Sequence, residues 1–284
     1  MKRNRKIVFL LVSVFNLYFP TILFAQETFT INPVIKFKYS LLYQADSTDT
    51  QSLEDENFVL LYDKENQKYI FLPEGIFYRD SIMQHGDPTT ILGNLSRIRH
   101  NINYSVYVDL KGKETVVKGY LNSQKGVFYQ EKLPKIDWKL SDSTRIKGHF
   151  ILKKAEATFG GRHWTAWYAP SVPYSIGPYK FYGLPGTIVM LYDDKGQYKF
   201  ELTRIVPIKQ RFSFSMDLSH AQEIDKKDFL MNLDKIVFNY KMAYLKSRNV
   251  KIRTQDGKTL SSGDLIQKAY KKIQERNNPI ELPE

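Results

Sequence analysis

Cysteine is absent from the 284 residues. No disulfide can staple the fold, no thiolate can act as nucleophile or metal ligand, and no acylated cysteine can follow a leader, which excludes a lipoprotein. A chain of this length buries enough surface to fold without such staples. Other signatures are missing too. The five histidines, His85, His100, His149, His163 and His220, stand in unrelated contexts, and none forms H-E-x-x-H or another metal-ligand spacing. There is no G-x-S-x-G nucleophile elbow, and Gly160-Gly161 is not followed by the G-K-[ST] of a phosphate-binding loop. On these grounds no catalytic residue, metal or cofactor is expected. His149 and His163 are the one histidine pair that strand pairing could bring together.

Long apolar runs are equally scarce. Ile7 to Phe19 is apolar except at Ser13, Asn16 and Tyr18, and it falls short of the roughly 18–20 residues that span a bilayer. Lys2, Arg3, Arg5 and Lys6 precede it, Pro20 follows it, and Leu23-Phe24-Ala25 ends it. That order of basic, apolar and small residues predicts a cleavable export signal over residues 1–25, with the mature chain starting at Gln26. The expected location is the periplasm or the outer membrane. The net charge is +12, and four of those positive charges sit in the leader. No run of five or six like charges occurs, so the excess reads as a solvated lysine surface, with acidic partners or lipid head groups ahead of nucleic acid.

Period-two patterning dominates what remains. Ile35, Phe37, Tyr39, Leu41 and Tyr43 alternate with more polar neighbours, as do Ile102, Tyr104, Val106, Val108 and Leu110. Phe58–Tyr62 and Tyr69–Leu72 flank a turn at 63–66, and shorter strands are expected at Thr115–Val117 and Val127–Tyr129. Ile151–Phe159 and Arg162–Tyr168 flank Gly160-Gly161, while Thr187–Tyr192 and Tyr198–Val206 flank Asp193-Asp194-Lys195-Gly196. Glu54-Asp55-Glu56 and Asp193-Asp194 read as turns or solvated ends. Asp87-Pro88 opens a short helix carrying Ile91, Leu95 and Ile98. The period then changes. Phe229, Leu230, Leu233, Ile236, Val237, Tyr240 and Tyr244 follow helical spacing behind Asp225 or Asp228, and Ser261–Asp264 opens a second helix with Leu265, Ile266, Ala269 and Ile273. The expected fold is α+β, a curved, half-barrel-like antiparallel sheet with amphipathic helices toward the C-terminus, in one domain over 26–284.

Residues 159–188 are the densest in proline, glycine and tryptophan. Gly183-Leu184-Pro185-Gly186-Thr187-Ile188 resembles the signature of the GLPGLI family of secreted, Bacteroidetes-type proteins. The likeness extends to Lys154-Ala155, Phe159, Gly161-Arg162, Trp164–Tyr168, Pro173, Gly177–Phe181 and the ending Asn278–Leu282. Thr187 departs from the usual leucine, and Leu152 stands where many members carry cysteine. The resemblance implies no reaction, ligand or catalytic residue, and it implies only an association with outer-membrane transport.

Read physically, Gly183, Leu184, Pro185 and Gly186 form a turn that feeds a strand. Trp164 and Trp167, three apart, face opposite sides of a strand, one inward and one free to line a groove. Arg162 can hold a carboxylate or phosphate, or an internal partner. Arg162, Trp164, Trp167 and Tyr168 are therefore the candidate ligand contacts. The function expected is a non-catalytic binding or accessory protein of the cell envelope, for an apolar or peptide ligand or an outer-membrane protein. A periplasmic hydrolase and a structural subunit of an outer-membrane complex are the rival readings.

Overall fold

A computed structural model describes residues 28–247, 252–253, 259–260, 270, 273 and 275–282. The expected leader, and Leu265, Ile266 and Ala269 of the second late helix, lie outside the described residues.

The strands are β1 (Thr28–Ile31), β2 (Ile35–Gln44), β3 (Leu53–Asp63), β4 (Lys68–Pro73), β5 (Tyr104–Asp109), β6 (Glu114–Tyr120) and β7 (Gly126–Lys132). They continue with β8 (Lys139–Lys147), β9 (Phe150–Phe159), β10 (Arg162–Ala169), β11 (Thr187–Asp193), β12 (Tyr198–Pro207), β13 (Phe214–Asp217) and β14 (Ala221–Glu223). Two meanders, β2 to β7 and β8 to β12, join edge to edge through the antiparallel β2–β12 pair. The result is a twelve-stranded sheet running from β14 to β8 that does not close into a barrel. Its neighbours are antiparallel except β14 and β7.

Alternation explains β2, which buries Phe37, Tyr39, Leu41 and Tyr43 on one side. Those residues share one core with Tyr129 on β7 and Leu152 on β9. Side chains on strands so far apart in the sheet meet because the sheet curves around them. The outer face of β3 to β6 is covered as well. There α1 (Glu74–His85) and the β1–β13 pair bury Val59, Leu61, Ile70, Leu72 and Val116 under Ile76, Phe77, Phe214 and Met216. Strands covered on both faces lose alternation and read as continuous apolar runs, as in Phe58–Tyr62.

The late helix, α2 (Lys226–Ser247), starts where its cap predicts, with Asp225 accepting from the Lys227 backbone N–H at 2.7 Å. Phe229, Leu233 and Val237 pack onto the inner core. The short helix after Asp87 is a 3-10 turn, Pro88–Asn94. No described helix is long and apolar enough to cross a membrane.

Candidate functional site

The loop between β10 and β11 carries the glycine-proline signature, and it fills the hollow of the sheet. Tyr39 on β2 donates to the Ile188 carbonyl at 2.8 Å, and Tyr69 on β4 donates to the Tyr179 carbonyl at 3.1 Å. Phe181 and Leu184 are buried within the same core. The turn itself needs glycine. Gly186 has φ +152, and a Cβ there would stand 2.3 Å from the Ala169 carbonyl oxygen. Gly183, at φ +93, sits beside the Trp138 ring, whose indole N–H binds the Tyr182 carbonyl at 2.8 Å.

Inside that packing the loop delivers an ammonium group. The Lys180 side chain is fully buried and spends its three donors on Glu131 Oε1 at 2.5 Å, Glu281 Oε1 at 2.6 Å and the Tyr129 hydroxyl at 2.9 Å. Lys226, first in α2, closes a ring of alternating charge by reaching Glu131 Oε2 at 2.9 Å and Glu281 Oε2 at 2.8 Å. Burial opposes the Lys180 charge, but Tyr129, Glu281 and Glu131 outweigh it and raise the pKa above the ordinary lysine value. Burial likewise opposes the Glu281 carboxylate, yet the two lysines hold its pKa below the usual range.

Arg162 performs the matching task on β10. Its five N–H donors are all used: on Asp193 Oδ2 (2.8 Å), Gln197 Oε1 (2.8 Å), Asn278 Oδ1 (2.5 Å) and the carbonyls of Pro279 (2.7 Å) and Ile280 (3.1 Å). Lys180 and Arg162 thus clamp one segment, residues 276–282, called here the strap. Leu282 N–H binds the Gly160 carbonyl at 2.8 Å, and a Cβ on Gly160 would meet Glu281 Cγ at 2.7 Å. The glycine pair of the β9–β10 hairpin therefore makes the turn and also clears the strap's path.

Anchored this way, the strap becomes one wall of a cleft of about 120 Å3; Phe229–Asp234 of α2, the end of β2 and Ile102–Tyr104 supply the others. Tyr43, Tyr104 and Tyr198 present aromatic surface to it, with Ala45 and Leu230. The Tyr104 ring packs edge-on against Tyr179, 6.1 Å between centroids, and burial pushes its hydroxyl pKa well above the usual tyrosine value. Arg276 bonds Glu54 and the Tyr43 hydroxyl (3.2 Å), and its Nη1 lies 3.6 Å from Asp234 Oδ2. Burial raises the Asp234 pKa, and Arg276 only partly offsets this. A second hollow, of about 180 Å3, adjoins at Ala45 and Arg276 and is lined by Asp46, Ser52, Leu53, Glu54 and Glu275.

The four candidate contacts, Arg162, Trp164, Trp167 and Tyr168, stand together on β10, and all are buried. Trp164 donates to the Phe159 carbonyl at 3.0 Å, and Trp167 lies under the Arg145 guanidinium, 5.1 Å from ring centroid to charge centre. A bulge at Trp167/Tyr168 interrupts the register there. The Arg162 partner is internal. Asp193, read as a turn acid, is buried against Arg162, and Glu54 and Glu56 lie within β3 rather than in a turn. Glu56 accepts from the Asn101 N–H at 2.5 Å. His163 pairs opposite Thr158 at one end of β9, whereas His149 precedes its other end, so the two histidines do not meet. The cleft itself was not visible from sequence, because its walls come from five separate segments. Of its lining, only the Asn278–Leu282 ending stood out in the sequence, through its likeness to the family's usual ending.

A family described as "Protein of unknown function (Porph_ging)" matches residues 135–190, a span that contains β8 to β10 and the whole signature loop. No curated protein matches. Among solved structures, PNGF-II in a C2 crystal form is similar at 15% identity and TM-score 0.46, over 78% of this chain and 34% of that one. The same protein in a P21 form is similar at 16% identity and TM-score 0.45, over 78% of this chain and 35% of the other. This chain thus spans about a third of the length of the protein that it resembles. Over residues 135–190 it is similar to a family whose function is unknown.

Proposed function

We propose that this is an exported binding protein of the cell envelope, and that it holds a peptide by one side chain lodged between α2 and the strap. The observation that carries the reading is the size and lining of that cleft. A cavity of roughly 150 Å3 suffices for a benzene-sized group, so about 120 Å3 walled by three tyrosines suits a single side chain. Typical small-molecule sites begin at about 300 Å3. The sheet's hollow is taken up by Tyr179, Phe181 and Leu184, so the cleft rather than the hollow is the place offered to a ligand. Export is supported by the order of residues in 1–25. Arg162, Trp164, Trp167 and Tyr168 then serve binding indirectly, by fixing the wall that the ligand meets.

Ligand-observed NMR with a set of N-acetyl amino-acid methylamides tests this. At least one member should bind at millimolar concentration, and Leu230→Trp, which fills the cleft from a half-buried position, should abolish the signal. No binding by any member, or binding that survives Leu230→Trp, overturns the reading.

A further inference from the structure

We infer that the side chain held in the cleft is a single aromatic ring, that of a phenylalanine or tyrosine of the bound peptide; the inference rests on the cleft being the binding site. Charge does not select the occupant. The cleft is lined by one carboxylate, Asp234, and one guanidinium, Arg276, whose Oδ2 and Nη1 atoms lie 3.6 Å apart as an ion pair. A neutral group is therefore favoured, because a charged one would leave water without a counter-charge to meet it.

Four rings, those of Tyr43, Tyr104, Tyr198 and Phe229, line the same space, and each is held by a neighbour. The Tyr43 and Tyr198 rings are near-parallel, tilted by 22° with centroids 6.0 Å apart, and the Arg162 guanidinium carbon stands 4.9 Å from the Tyr198 centroid. Their hydroxyls are tied off, that of Tyr43 on Glu54 at 2.8 Å and that of Tyr198 on the Asn278 carbonyl at 2.5 Å, so what these two offer the cleft is ring surface. Tyr104 meets Tyr179 edge-on, and Phe229 meets Tyr129 edge-on with centroids 4.9 Å apart. Walls fixed before the ligand arrives cost little ordering on binding. A ring entering among them gains edge-to-face or offset contacts beyond the burial of its area, which an aliphatic group of the same size does not. Size points the same way. A cavity of roughly 150 Å3 holds benzene, so about 120 Å3, open to solvent on one side, takes one six-membered ring but not the fused indole of tryptophan.

The test compares the N-acetyl methylamides of phenylalanine, tyrosine, cyclohexylalanine, leucine and tryptophan by ligand-observed NMR. Phenylalanine should bind about three- to tenfold more tightly than cyclohexylalanine, which matches its size but lacks the π face. Leucine and tryptophan should be weaker as well, and the tighter of phenylalanine and tyrosine names the residue. The bound ring should show nuclear Overhauser contacts to tyrosine ring protons of the cleft. Tyr104→Leu should cut the preference for phenylalanine over cyclohexylalanine at least about twofold, with an unchanged melting temperature showing that the fold is intact. Should that variant not fold, the comparison in the unmodified protein and the ring contacts decide. Binding of cyclohexylalanine, leucine or tryptophan as tight as that of phenylalanine, or a preference undiminished in folded Tyr104→Leu, overturns the single-ring assignment and leaves the cleft reading standing. If no probe binds, both fall.

Discussion

Two glycines and two buried cations decide most of what happens at single positions. Gly186→Val would place side-chain carbon where the Ala169 carbonyl stands, 2.3 Å from the added Cβ, in a backbone conformation that valine rarely adopts. A loss of at least about 1–3 kcal/mol is expected in denaturant melts. Arg162→Met should cost more, about 3–5 kcal/mol, because it leaves Asp193 buried without its partner. The same measurement separates the two, since a surface arginine would cost almost nothing. The turn role of the Gly183–Gly186 signature was legible from the sequence, because glycine and proline constrain the backbone locally. The fate of Arg162 was not. Asp193 is 31 positions away and Asn278 is 116 away, and no local pattern encodes a partner at that distance.

At the level of elements, hairpins were the legible part. The alternation in β2 and the glycine turns between β9 and β10 and between β11 and β12 each specify a strand pair from neighbouring residues. α1 escaped notice because its pattern is broken. Pro73 offers no side-chain cap, and Arg79 and Asp80 go under the helix instead of outward, where Arg79 lies 4.7 Å from the Tyr120 ring. β8 escaped for the opposite reason. It is an edge strand with mostly exposed residues, including Leu140 and Ile146, so no alternation marks it.

The strap carries a pH dependence of predictable sign. The folded Glu281 pKa is depressed, so its contribution is complete above the unfolded value, near 4.3 for glutamate, and is lost as pH falls below that through the folded pKa. Stability measured by urea melts should therefore drop in acid, and Glu281→Gln should be less stable at neutral pH and flatter in its acid dependence. An unchanged acid slope in that variant would remove Glu281 from the account.

On the scale of the whole molecule, the curved open sheet with a late helix followed from strand periods and the shift to helical spacing after residue 225. The filling of its hollow did not, since a loop's destination depends on distant strands. The proposed leader over residues 1–25 predicts that amino-terminal sequencing of the protein recovered from its own cell envelope begins at Gln26. A start before Ile7 would refute cleavage there.

The strap has one more consequence. Ribosomes deliver a chain from its first residue onward, and domains begin to organise during synthesis. Residues 276–282 emerge only after everything that they touch has been made. Until then Arg162 and Lys180 lack the carbonyls and the carboxylate that compensate their burial, and the cleft lacks a wall. A polypeptide stopped short of the strap therefore lacks the strap's partners of both buried cations. Closure of the strap is thus the last step by which the described fold compensates these two buried cations.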